Sequence, residues 1–216
     1  MRIVPAASAA VLLALSLTAC GDDSEPTAEA GGTSCDYVED GTEPAKEVTP
    51  PPATADVSGD VATTIDTSAG EIGLTLDAAA APCTVNSFVS LAEQGWYDDT
   101  TCHRLTTQGI YVLQCGDPTG SGMGGPGYTI PDELSGNETY PAGTVAMAKT
   151  AAPDSGGSQF FLVYDDTQLP PDYTVFGQVD DAGLEVLRSI AKAGTATGAP
   201  DGPPKNEVTI ESVTTG

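Results

Sequence analysis

Basic residues are scarce in this chain. Seven Lys and Arg stand against 31 Asp and Glu, giving a formal net charge of −24. Such a surface repels phosphates, so nucleic acid is excluded as a partner and binding of the folded part to anionic lipid is disfavoured. Solubility alone accounts for the excess of acid. His103 is the single histidine, which excludes a metal site built from several imidazoles. None of the five cysteines has the C-x-x-C spacing of a zinc or redox motif. No Gly-Lys-Ser/Thr follows the glycine-rich run Gly120 to Gly127, so it is not a phosphate-binding loop. Ser158 lies in Gly156-Gly157-Ser158-Gln159-Phe160 and lacks the second glycine of a nucleophile elbow. Neither a metal nor a cofactor is expected.

The chain is long enough, at 216 residues, for one domain plus extensions. Residues 1–19 read as an export signal: Arg2 precedes an apolar stretch, Val11 to Leu17, that is too short to span a bilayer. Leu17-Thr18-Ala19-Cys20 resembles a bacterial lipobox, in which Cys20 is lipidated and becomes the mature N-terminus. The expected location is therefore the cell membrane, on its extracytoplasmic side, with the lipid as the sole membrane contact. Residues 20–57 are rich in Asp, Glu, Pro, Gly, Thr and Ala. That composition offers little apolar surface to offset ordering entropy and predicts a tether. Cys35 and Tyr37 interrupt it and suggest points where it is pinned. With Cys20 lipidated, Cys35, Cys83, Cys102 and Cys115 remain, and in an exported chain they allow three disulfide pairings.

Residues 58–216 carry the periodic patterns. A β-rich run from Val61, a turn at Ala69-Gly70 and the alternation from Glu71 to Leu76 predict a hairpin. Pro82 opens a helix whose apolar residues include Val85, Phe88, Val89 and Leu91, and Gly95 ends it. Strands are expected over Thr101 to Thr106, Tyr111 to Gln114, Gly143 to Ala148, Gln159 to Tyr164, Thr174 to Val179 and Val208 to Val213. A second helix is expected from Asp181 to Ala193. Many short strands, two helices and no βαβ rhythm predict a mostly β fold, a closed antiparallel barrel capped by two α-helices.

Six motifs then occur in one order. They are His103-Arg104, Gln114-Cys115-Gly116-Asp117, Gly124-Gly125-Pro126-Gly127-Tyr128, Met147-Ala148, Gly157-Ser158-Gln159-Phe160-Phe161 and Val175-Phe176-Gly177. In this order they resemble the cyclophilin family of peptidyl-prolyl cis-trans isomerases, over nearly all of the part expected to fold. The resemblance implies an eight-stranded barrel and a monomer that acts on proline-containing polypeptides. It implies that Arg104 is the catalytic arginine, and that Gln114 and Gln159 orient it and the substrate backbone. Tyr111, Val112, Phe161 and Leu169 then form the floor and walls of the proline pocket. Ala148 and Lys149 belong to the stretch that hydrogen-bonds the substrate, and Tyr173 stands where the family commonly has histidine. His103 becomes structural. In the fold so implied, Cys102 and Cys115 lie on paired strands and a disulfide joins them, with Cys35 and Cys83 as the remaining pair.

Three features depart from the family pattern. Two extra residues lengthen the turn at Thr106-Thr107-Gln108-Gly109. Tyr111 and Val112 replace a Phe-Met pair. Gln168 stands approximately where many members have the tryptophan that assists cyclosporin binding, so weakened cyclosporin affinity is expected. Two other classes stay open at this level: a proline-binding or chaperone module, and an interaction protein that displays an acidic surface. The intact Arg104, Gln114 and Gln159 favour an isomerase of exported or unfolded chains over both.

Overall fold

The hairpin predicted near the start of the domain seeds a sheet. In the computed structural model, which describes residues 1–2 and 32–216, the early elements are β1 (Thr33–Ser34), β2 (Val38–Glu39), β3 (Thr54–Ala55), β4 (Asp60–Thr67) and β5 (Gly70–Asp77). Helix α1 (Pro82–Glu93) follows, then β6 (Thr100–Thr101), β7 (Arg104–Thr106), β8 (Val112–Cys115) and β9 (Tyr128–Thr129). The chain ends with β10 (Thr144–Met147), β11 (Phe160–Val163), β12 (Val175–Val179), α2 (Asp181–Ala193), β13 (Asp201–Gly202) and β14 (Thr209–Thr215). All but the first two residues of the expected export signal, and Cys20, lie outside the described residues.

β4 and β5 pair in unbroken register from Asp60↔Asp77 to Thr67↔Gly70. Alternate residues face inward, namely Thr63, Ile65 and Thr67 on β4 and Ile72, Leu74 and Leu76 on β5, as period-two patterning requires. The tight turn suits Gly70, whose φ is 131°, a value L-residues rarely adopt.

Ten strands form the main sheet, in the order β13-β7-β8-β11-β10-β12-β5-β4-β14-β6. This differs from the expected closed ring of eight. Only Cys102 and His103 separate β6 from β7, yet β6 pairs with β14 and β7 pairs with β8 and β13, near opposite ends of the order. The sheet must therefore curl until its ends meet. Covalent chain joins them there, where the single expected strand 101–106 divides in two.

Inside the curl, Phe88 of α1 stacks on Tyr97 at 4.9 Å and meets Phe160 edge-on at 5.4 Å, with Phe176 at 5.6 Å. All four rings are fully buried. Such offset and edge contacts suit aromatic quadrupoles. α1 begins with Pro82 at its first turn and has no local side-chain cap. Glu133 caps it from a distant loop, accepting from the N–H of Cys83 (2.9 Å) and Thr84 (2.8 Å). Asp180 caps α2 by accepting from the Gly183 N–H at 2.6 Å, and Leu187 and Ile190 form its buried face.

From Gly32 onward the acidic segment differs from the expected tether, because it lies along the domain as a strap. β1 pairs with β3 and β2 pairs with β9. The Lys46 ammonium donates to the carbonyls of Asp98 (2.6 Å), Trp96 (3.1 Å) and Gly95 (3.4 Å). Tyr37 donates to Cys83 O at 2.9 Å and accepts from Asn86 at 2.9 Å. Composition missed this because partners far along the chain order the strap: backbone pairing, a crosslink, and a few apolar residues, Cys35 and Ala55 among them, that pack into the core. Disulfides join Cys35 to Cys83 and Cys102 to Cys115, the pairing expected.

Candidate active site

Sheet register assembles a polar row that runs into an apolar one. Arg104 on β7 stands opposite Gln114 on β8, Gln114 opposite Phe161 on β11, and Phe161 opposite Ala146 on β10. Directly opposed residues share a face of the sheet, so four strands place a cation, an amide, an aromatic ring and a methyl group side by side. The strands alternate between two environments. Leu113, Cys115, Phe160 and Leu162 enter the main core, while Val112, Ala146, Phe161 and Val163 form a second cluster on the opposite face with Tyr140.

A hydrogen-bonded relay crosses this face. Arg104 Nη1 donates to Gln114 Oε1 at 3.2 Å, and Gln114 Nε2 donates to Gln159 Oε1 at 2.9 Å. Gln159 Nε2 then donates to the carbonyls of Gly122 (3.1 Å) and Gly124 (3.0 Å). On its other edge the guanidinium is held by Asp201, through Nε to Oδ1 at 2.9 Å and Nη2 to Oδ2 at 2.7 Å. Hydrogen bonding to Asp201 raises the arginine pKa further above its ordinary value, and bonding to Arg104 lowers the Asp201 pKa. The guanidinium stays charged.

Arg104, Ile110, Val112, Gln114, Ala148, Lys149, Phe161, Leu169 and Tyr173 line a cleft of about 180 Å³. Nearly all of the predicted site residues thus meet in one place. Tyr173 packs edge-on against Phe161, with ring centres 5.4 Å apart. Tyr140 steadies the loop that carries Leu169 and Tyr173, because its Oη accepts from the N–H of Asp172 (3.1 Å) and Tyr173 (3.0 Å). Gln159 borders an adjoining depression of about 260 Å³ that also includes Gln114, Ala148 and Lys149.

Tyr111 does not join the cleft. It packs on Tyr164 at 5.9 Å, beside the main core. Alternation along the chain is the reason: Val112 and Gln114 face the cleft, so Tyr111 and Leu113 face away, and Ile110 supplies the extra apolar wall. The Lys149 ammonium is engaged with Asp132 at 3.0 Å, and the Ala148 N–H donates to Gln159 O at 2.9 Å. Gln168 is exposed and lines a separate groove with Glu138 and Tyr140. Ser158 is buried and donates to Gly116 O at 2.8 Å, which gives it a structural task.

A model of the family described as cyclophilin type peptidyl-prolyl cis-trans isomerase matches residues 62–215. The chain belongs to the cyclophilin family. It is 49% identical, over 84% of its own length, to a probable peptidyl-prolyl cis-trans isomerase B of Mycobacterium leprae, and spans 66% of that relative, just under two thirds. Its fold resembles the crystal structure of a cyclophilin type peptidyl-prolyl cis-trans isomerase of Cryptosporidium parvum, with a TM-score of 0.63, 28% identity, and coverage of 73% of this chain and 98% of the other. The same Cryptosporidium protein in the presence of the dipeptide Ala-Pro matches with a TM-score of 0.60 and 27% identity, covering 71% and 97% of the two chains.

Sequence reasoning missed several parts of this cyclophilin site. Asp201 lies in Pro200-Asp201-Gly202-Pro203 and is one of 31 acidic residues, so nothing local sets it apart. Tyr140 and the carbonyls of Gly122 and Gly124 became visible only through tertiary contacts. A larger groove of about 790 Å³, which includes Asp60, Asp77, Asp132, Glu133 and Glu138, shares no lining residue with the Arg104 cleft. Its carboxylates carry no N–H to offer a prolyl amide.

Proposed function

We propose that this cyclophilin accelerates cis-trans isomerisation of Xaa-Pro bonds in exported or unfolded polypeptides, with Arg104 as the donor to the prolyl nitrogen. One observation carries the reading: a charged, oriented guanidinium lines a cleft sized for a small ring, together with the apolar side chains of Ile110, Val112, Phe161 and Leu169. The Cryptosporidium relative studied with Ala-Pro fits the same ligand class.

The prolyl amide resists rotation by about 18–20 kcal/mol because its nitrogen shares its lone pair with the carbonyl. As the bond twists, that sharing is lost and the nitrogen becomes a hydrogen-bond acceptor. A donor aimed at the nitrogen binds the twisted state better than either planar one. A charge-assisted hydrogen bond contributes about 1.5–3 kcal/mol, or roughly ten- to a hundredfold in rate. In this reading the rest comes from Val112, Phe161, Leu169 and Tyr173 gripping the ring, and from fixed donors on the neighbouring carbonyl. No covalent step is needed. Lipid on Cys20 would hold the enzyme at the extracytoplasmic face of the membrane, where newly exported chains fold, and the Gln168 position predicts weak cyclosporin binding.

A protease-coupled assay on an Xaa-Pro peptide tests this. The wild-type chain is expected to accelerate exchange, and Arg104→Ala to lose about ten- to a hundredfold in kcat/KM with its circular dichroism unchanged. Equal activity in the variant would remove Arg104 from the mechanism, and an inactive wild type would leave a proline-binding module. The same assay on cell fractions tests the anchor, since Cys20→Ala should move activity from the membrane pellet to the soluble fraction.

A further inference from the structure

A guanidinium has five N–H donors, and three of those on Arg104 are committed. Asp201 takes Nε–H and one N–H of Nη2, and Gln114 takes one N–H of Nη1. One N–H on each terminal nitrogen is left for the cleft. The pair is bidentate, which fixes the plane of the guanidinium as well as its position.

Asp201 does not reach this place on a loose loop. A hairpin running from Gly194 to Lys205 carries it, closed by Lys205 N–H to Gly194 O (2.8 Å) and Ala196 N–H to Pro203 O (2.9 Å). The Thr195 hydroxyl braces its tip by donating to Ala199 O at 2.6 Å. The hairpin docks on β7 through β13, with Asp201↔Thr106 and Gly202↔Leu105 in register. Thr107, in the lengthened turn after β7, adds its N–H to Pro200 O at 2.8 Å. An exposed ion pair contributes little to stability, and about half of the Asp201 side chain is exposed. What the pair changes is geometry.

We propose that Asp201 is a positioning residue for the isomerase reaction, which locks the Arg104 guanidinium so that its two uncommitted N–H groups face the prolyl amide. The proposal rests on the reading of Arg104 as the donor. Without Asp201 the Nε–Nη2 edge is unrestrained, and Gln114 alone leaves the group free to pivot about a single bond. Misplacing a reacting group by a fraction of an ångström to 1 Å costs rate rather than binding.

Steady-state kinetics on Asp201→Ala, Arg104→Ala and the double variant test the assignment. Asp201→Ala is expected to lower kcat on the order of tenfold with KM nearly unchanged, and to cause no further loss once Arg104 is Ala. The NMR signal of Arg104 Nε–Hε supplies a second readout that needs no turnover. In the wild-type chain it should exchange slowly with water, and in Asp201→Ala rapidly. An unchanged kcat in Asp201→Ala, an equal fractional loss in both Arg104 backgrounds, or a rapidly exchanging wild-type signal would each overturn the proposal. An inactive wild type with a slowly exchanging signal would instead sink the isomerase reading and leave Asp201 as the group that orders Arg104.

Discussion

Three of the chain's few cations have specific partners or face the candidate site. Lys46 gathers three carbonyls, Lys149 pairs with Asp132 and Arg104 faces the cleft. Among the acids, Asp117 has a comparable place. Its buried carboxylate accepts from the N–H groups of Thr119 (2.7 Å), Gly122 (2.6 Å) and Gly124 (3.1 Å), and so shapes the loop whose carbonyls receive Gln159. Burial pushes its pKa up, but the hydrogen bonds from Gly124, Thr119 and Gly122 outweigh burial and hold it below the ordinary carboxylate value. A depressed acid pKa stabilises the fold fully above the unfolded value, about 3.9, and that stabilisation is lost as pH falls through the native pKa. Asp117→Ala is expected to cost about 1–3 kcal/mol in denaturant unfolding at neutral pH. It should also lower kcat/KM by releasing Gln159, and the stability difference from wild type should shrink below about pH 4. A variant as stable as wild type at pH 7 would contradict this role.

At the scale of elements, legibility followed periodicity. The β4–β5 hairpin and both helices were visible as alternating or helical patterns, because each buries one face against the core, while β10, β11 and β12 were visible as short apolar runs, β10 and β11 being buried on both faces. The strap from Gly32 was not, since β1, β2 and β3 are two-residue strands whose order comes from partners far away in sequence. The Cys35–Cys83 crosslink spans 48 residues, and closing a loop of that size restricts the unfolded chain by about 2–4 kcal/mol. Replacing both cysteines with serine should lower the unfolding free energy by that amount. Since no strap residue lines the Arg104 cleft, kcat/KM should stay at the wild-type value. A loss of activity in the folded variant would mean that the strap shapes the cleft after all. Placement of Tyr111 shows the complementary limit: motif position suggested the pocket, and strand alternation turned the side chain away.

For the molecule as a whole, net charge and the single histidine make the pH response readable. Both ring nitrogens of His103 are buried without a hydrogen-bond partner. Burial lowers its pKa, Asp117 raises it in part, and Arg104 lowers it further. The folded state therefore binds this proton less readily than the unfolded chain, whose histidine titrates near about 6.5. Stability should be complete above that value and decline as pH drops through it. Melting temperatures on either side of this range measure the slope, and His103→Gln should flatten it. A wild-type profile with no slope there would mean that His103 is protonated equally in both states.

The family, the two helices, most of the strands and the motifs that carry Arg104, Gln114 and Gln159 were legible in the sequence alone. Spaced motifs and apolar periods are local properties that survive without coordinates. The curl of a ten-strand sheet, the inward turn of Ile110 in place of Tyr111, the docked strap and the grip of Asp201 on the catalytic candidate were decided by tertiary structure. Each of these depends on which distant residues come into register, and register is set by the packing of the whole sheet rather than by any segment of it.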